Sequence, residues 1–116
     1  MIYTKKIRIP NSERYTLHAI QEVAKVEMVD KLVEVQGQIS RIDEMYNQRG
    51  LRVLQFFIQD ATGSIEVDYQ VKEDSEIEIF NEFKLGDTVV IYGDVMDDLF
   101  RDIYRIYARE MVLICQ

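Results

Sequence analysis

The chain holds one cysteine, Cys115, and one histidine, His18. A lone thiol excludes an internal disulfide, and the two residues are too few for an ordinary Cys/His zinc site, so no structural metal is expected. The five glycines stand singly, which excludes a glycine-rich phosphate loop. No apolar run approaches the ~18–20 residues of a membrane-crossing helix, so no membrane partner is expected. The basic N-terminus is not followed by an apolar stretch of about 7–15 residues. A secretory signal is therefore not expected, and the chain reads as intracellular, in the nucleus of a eukaryote or the cytoplasm of a prokaryote.

Positive charge is also short: 14 Lys and Arg stand against 21 Asp and Glu, a net charge of −7. Its distribution is uneven. Residues 1–31 carry six basic and four acidic residues, a net of +2, whereas the remainder carries eight and seventeen, a net of −9. Long-range repulsion weakens binding to phosphate backbones unless basic groups gather locally, so one side of the molecule should repel nucleic acid while another can attract it. At 116 residues and 47% hydrophobic content the chain has room for one domain with a real core.

What is present is alternation. Leu54, Phe56 and Ile58, then Ile65, Val67 and Tyr69, follow the period of two expected of core-facing strands, joined at Asp60-Ala61-Thr62-Gly63. Gly63 is expected to supply positive φ, and Asp60 to bond the backbone two residues on. Before this hairpin Val33, Val35, Gly37 and Ile39 alternate, and Ile42 falls out of phase, which predicts a bend or bulge near Gly37 in a strand over 32–43. Residues 45–50 read as a polar loop. Val89, Ile91, Gly93 and Val95 mark a fourth strand over 88–95, and 103–114 a fifth, long enough to need its own bend. Between the third and fourth strands, Ser75 opens a short helix over 76–84, stopped by Leu85-Gly86-Asp87. Thr16 is expected to cap another short helix in which Leu17, Ile20 and Val23 lid the core. Residues 1–14 form an arm or an added strand, and 15–116 the single domain.

The order is β-β-β-α-β-β. It predicts an all-β fold, a five-stranded Greek-key barrel of the OB type, with one short helix between strands three and four plugging an end. Val33 to Ile39, Phe57 to Val67 with its Asp-x-Thr-Gly turn, and Leu85 to Val95 resemble the nucleic-acid-binding OB domains of replication protein A, in particular its middle-sized subunit, and the related telomere-capping proteins. The resemblance covers about residues 15–114. It implies a single-stranded-DNA-binding subunit of a replication, repair or telomere complex, with RNA as a further ligand and other OB subunits as partners in a hetero-oligomer.

Single-strand binding needs aromatic faces for stacking and cations for phosphates. In an OB barrel the groove crosses strands two and three, between the loops joining strands one to two and four to five. The candidates are Phe57 on the outward side of strand two; Tyr46 and Arg49 in the first loop, with Arg52 just beyond it; Phe100 and Arg101 at the second; and Arg105 and Tyr107 on strand five. The outward positions of strand three include Glu66 and Asp68, two negative charges in the path of the groove. They motivate a rival expectation, an OB domain used for protein assembly. Asp60, Asp94, Asp97, Asp98 and Asp102 fall at turns and strand ends, where acids are ordinary solvated residues, so neither catalysis nor a cofactor is expected.

Overall fold

The computed structural model describes residues 4–6, 17–72, 80–98, 100–101 and 103–114. Its elements are β1 (Thr4–Lys6), β2 (Leu17–His18), a four-residue helix α1 (Ile20–Val23), a 3-10 turn (Val26–Met28), and the long strands β3 (Leu32–Tyr46), β4 (Arg52–Asp60), β5 (Gly63–Gln70), β6 (Thr88–Asp98) and β7 (Ile103–Ile114). The long strands close on themselves. β3 pairs with β4, β4 with β5, β5 with β7, β7 with β6, and β6 with β3. Only the β5–β7 contact in this ring is parallel, so the five expected strands form a closed mixed barrel.

The alternating residues line its interior: Val33, Val35 and Ile39, then Phe56, Ile58, Val67, Val89, Ile91, Val95 and Ile106 are all buried in one core. Two register shifts let single strands serve two sides of the barrel. One lies between Ile39 and Arg41, so that β3 pairs with β6 through residues 32–38 and with β4 through residues 38–46. The bulge thus falls at Ser40, three residues past Gly37. The other sets Tyr92 against Glu110 but Gly93 against Ala108, leaving Arg109 as the extra residue on β7. It changes the inward phase from Ile106 to Met111 and Leu113. Gly93 sits at this crossing because a Cβ there would lie 2.1 Å from the Tyr107 carbonyl oxygen.

One end of the barrel is filled by rings. Phe80 and Phe83 are buried against Phe56, with centroids 6.0 and 5.9 Å away, and Phe80 lies 4.7 Å from Tyr69. Residues 76–79 of the expected 76–84 helix lie outside the described set; of the rest Phe80 is helical while 81–84 are turn and irregular chain, and Gly86 takes φ 89° in the stop that follows.

The other lid differs from expectation. Leu17 is exposed and, with His18, pairs parallel to β3 at Glu34 and Val35, so the helix begins only at Ile20. Thr16, the expected cap, lies outside the described residues, and the Ncap position is Ala19. The cap comes instead from the β4–β5 turn. Asp60 Oδ2 accepts from Ile20 N at 2.9 Å, and Thr62 Oγ1 from Gln21 N at 3.1 Å. Asp60 Oδ1 meanwhile accepts from Thr62 N, Thr62 Oγ1 and Gly63 N at 2.7, 2.6 and 3.0 Å. The carboxylate therefore holds the turn without positive φ at Gly63; among the described residues positive φ falls at Asp30, Gly50 and Gly86.

These bonds set the pH behaviour of the turn. Partial burial pushes the Asp60 carboxyl up, but the N–H of Ile20 and the donors of Thr62 and Gly63 outweigh it and hold the group below its ordinary 3.8. A depressed carboxyl stabilises the fold fully above that ordinary value and loses its contribution as pH falls below it. Asp60→Ala is expected to cost about 1 to 2 kcal/mol at neutral pH, the scale of a lost helix cap. Urea midpoints of wild type and variant should converge on acidification toward pH 3, and a gap that stays constant would refute the assignment.

Candidate nucleic-acid interface

The outer face of the barrel is ordered by register into cross-strand rows. Thr88, Gln38, Gln59 and Ser64 form one row across β6, β3, β4 and β5. Past the Ser40 bulge, Arg41, Phe57, Glu66 and Arg105 form the next across β3, β4, β5 and β7, followed by Asp43, Gln55, Asp68 and Tyr107. The first row is uncharged. In the second, Phe57 is half-buried and the Arg41 guanidinium lies 5.2 Å from its ring centroid, a cation–π distance. Arg41 also pairs with Asp43 at 2.9 Å.

Glu66 and Asp68 do point outward, as alternation requires, yet they are only 6% and 3% exposed. Arg101 grips Glu66 with both terminal nitrogens, at 3.1 and 2.6 Å, and Asp98 through Nε at 2.8 Å. Arg105 Nη1 donates to Asp68 at 2.6 Å, and its Nη2 to Asp98. Gln55 donates to the remaining oxygen of Asp68 at 3.2 Å. The expected open acidic face is therefore a closed network of three carboxylates and two guanidinium groups, a net of −1. Each carboxylate has an arginine partner because ions buried in a low-dielectric surface are costly unless paired and fully hydrogen-bonded.

The titration of the network follows from the same contacts. Hydrogen bonds from Arg101, with the bond and charge of Arg105, overcome partial burial and hold the Asp98 carboxyl at about 2. Glu66 and then Asp98 raise Arg101 above its ordinary value. For Arg105, burial opposes the charge, but the bond and charge of Asp68, helped by Asp98 and Glu66, outweigh it.

The eight candidate residues do not share one surface. Phe57, Arg105 and Tyr107 lie on the outer face, with Tyr107 44% exposed. Arg101 joins them through its grip on Glu66. Phe100, on the β6–β7 connection, is 99% exposed. Tyr46 is not in the loop, because β3 runs to it, and it faces Arg52, which opens β4 as expected, across the β3–β4 ribbon. Their parity is that of Ile42, Leu54 and Phe56, opposite to Phe57. Tyr46 is 63% exposed there, with the Arg52 guanidinium 6.0 Å from its ring centroid and pairing with Glu44 at 2.9 Å. The true loop spans 47–51, where Asn47 Oδ1 accepts from the N–H groups of Arg49 and Leu51. Among the described residues the exposed Arg49 guanidinium has no ion pair.

Sequence reasoning passed over Arg41 and a shallow cleft of about 490 Å³ at the far end of β4 from that loop. Leu17, Gln36, Gln38, Gln59, Asp60 and Thr88 line it. The signal available was the outward parity of three glutamines on β3 and β4. Among the described residues no group of three or more His, Cys, Asp or Glu could hold a metal ion.

Several solved structures superpose on this closed barrel. The second OB-fold domain of replication protein A from Methanococcus maripaludis superposes with a TM-score of 0.59 at 18% identity, over 80% of this chain and 89% of that one. This domain is an OB-fold. OBody AM1L10 bound to hen egg-white lysozyme gives a TM-score of 0.64 at 20% identity, over 81% of this OB domain and 86% of that chain. RecG bound to a three-way DNA junction gives 0.65 at 13% identity, over 90% of this OB domain and 13% of that chain. No family model matches the sequence, and no curated protein matches it.

Proposed function

We propose that this OB domain binds single-stranded nucleic acid, DNA in the first instance, as a subunit of a replication, repair or telomere complex and without catalysis of its own. The observation that carries the reading is the Arg41–Phe57 pair on the outer face, a ring and a guanidinium offered together where a base can stack and a phosphate can pair. The fully exposed Phe100 adds a second ring at the β6–β7 connection. The likeness to a replication protein A domain and to DNA-bound RecG supports the ligand class.

Fluorescence-anisotropy titrations with single-stranded DNA and RNA across a salt series test it. Affinity should fall with salt, with a log–log slope of about −0.7 for each phosphate contacted. Because Arg101 and Arg105 are held by carboxylates, that slope should be shallow. Phe57→Ala should weaken binding about fivefold to a hundredfold, the worth of one stacked base. Flat titrations at low salt would reject the reading for the isolated chain.

The closed carboxylate–arginine network favours a second reading, an assembly module that docks on protein. A lysozyme-bound OBody among the similar structures is in keeping with it. A stable oligomer by mass measurement, together with flat titrations, would select this alternative.

A further inference from the structure

The cleft at the end of β4 differs chemically from the rest of the outer face. Gln38 and Gln59 are direct cross-strand partners, and Gln36 lies two residues along β3 on the same side. All three are exposed, and among the described residues none of their side-chain amides is spent on a protein partner. Thr88 extends the row beyond Gln38. Asp60, the one carboxylate at the cleft among the described residues, is saturated by the four donors described above. Leu17, half-exposed, supplies an apolar wall. The volume of about 490 Å³ falls within the ~300–1,000 Å³ of small-ligand sites.

A cleft whose carboxylate is already saturated by protein donors, and which offers free amide donors and acceptors beside an apolar wall, suits a planar, uncharged group with a mixed hydrogen-bonding edge. A glutamine amide donates and accepts in one plane, which matches the adjacent acceptor and donor of adenine N7 and N6. Among the described residues none that lines the cleft is a cation for a phosphate to pair with. The neighbouring row, one bulge away, presents the Arg41–Phe57 pair, so a strand can seat one base in the cleft and stack the next on Phe57.

We propose that this cleft is a base-reading subsite, in which Gln38 and Gln59 bind the edge of an unpaired adenine. The subsite rests on the single-strand-binding reading and gives it a sequence preference. The test uses the full chain with labelled hexamers of dA, dC and dT and an abasic hexamer, against wild type, Gln38→Leu, Gln59→Leu and Phe57→Ala, with thermal melts confirming that each variant is folded. Wild type should prefer dA by about tenfold, the scale of one good bidentate contact. Either glutamine variant should reduce that preference to near unity while leaving abasic binding unchanged, whereas Phe57→Ala should weaken dA, dC and dT alike. Equal binding of the three sequences by wild type, or an unaltered preference in both glutamine variants, would overturn the subsite and leave single-strand binding standing. Absence of binding to every oligonucleotide would remove the functional reading itself, and the subsite with it.

Discussion

Gly93→Ala is expected to destabilise the domain by about 3 kcal/mol or more, the upper part of the range for forcing extra atoms into a packed site. The added Cβ would stand 2.1 Å from the Tyr107 carbonyl oxygen and 2.9 Å from the Ala108 Cα. Both obstacles are backbone, so no side chain can swing aside to relieve them. Relief requires β6 and β7 to separate at the Arg109 bulge, where the barrel depends on their pairing. Urea denaturation should give a lower midpoint, and a thermal melt a drop of roughly 4 °C or more per kcal/mol. A wild-type melting temperature in the variant would mean that the strands do not approach so closely. Gly63→Ala is the matched control, since nothing lies within 4 Å of the site a Cβ would take there.

Arg105→Ala should cost about 2 to 4 kcal/mol, between an exposed ion pair and a fully buried one broken on one side. The arginine is 16% exposed, while the Glu66 and Asp68 side chains it serves are 5% and 4% exposed. Among the described residues its removal leaves Asp68 with Gln55 and no cation, and Asp98 with Arg101 as its remaining cation beside the N–H of Phe100. The diagnostic is recovery: adding Asp68→Asn and Glu66→Gln to the variant should restore part of the loss, because the penalty lies in stranded charge rather than missing contact. If the triple variant is no more stable than Arg105→Ala, the network is not what holds this face. The result also bears on ligand binding. A fall in DNA affinity on Arg105→Ala counts for function only where the melt shows the variant folded.

Most of the barrel was legible because its signal is local. Val33, Val35 and Ile39, or Val89, Ile91 and Val95, declare an inward face by alternation alone, and Gly37 and Gly93 mark crossings within the first and fourth barrel strands. What escaped was decided at a distance. Two residues, Leu17 and His18, are too short to show any period, and their strand exists because β3 offers an edge. The polar sequence Asp43-Glu44-Met45-Tyr46 reads as the approach to a loop, but pairing with β4 keeps it extended, so Tyr46 and Arg52 came to lie opposite each other on the ribbon. Outward parity at Glu66 and Asp68 was right, and exposure did not follow from it. The arginines that cover them lie 35 and 37 residues away. The turn at Asp60 is legible from its own local chemistry, whereas its bond to Ile20, 40 residues earlier, is tertiary and leaves no trace in spacing.

The three-residue strand Thr4–Lys6 lies along Val112, Leu113 and Ile114, beyond the stretch where β5 borders β7. Bare hydrogen-bonding groups on a β margin invite stacking by identical molecules into fibrils. By occupying that margin with its own leading residues, the polypeptide shields itself from runaway self-association at high concentration.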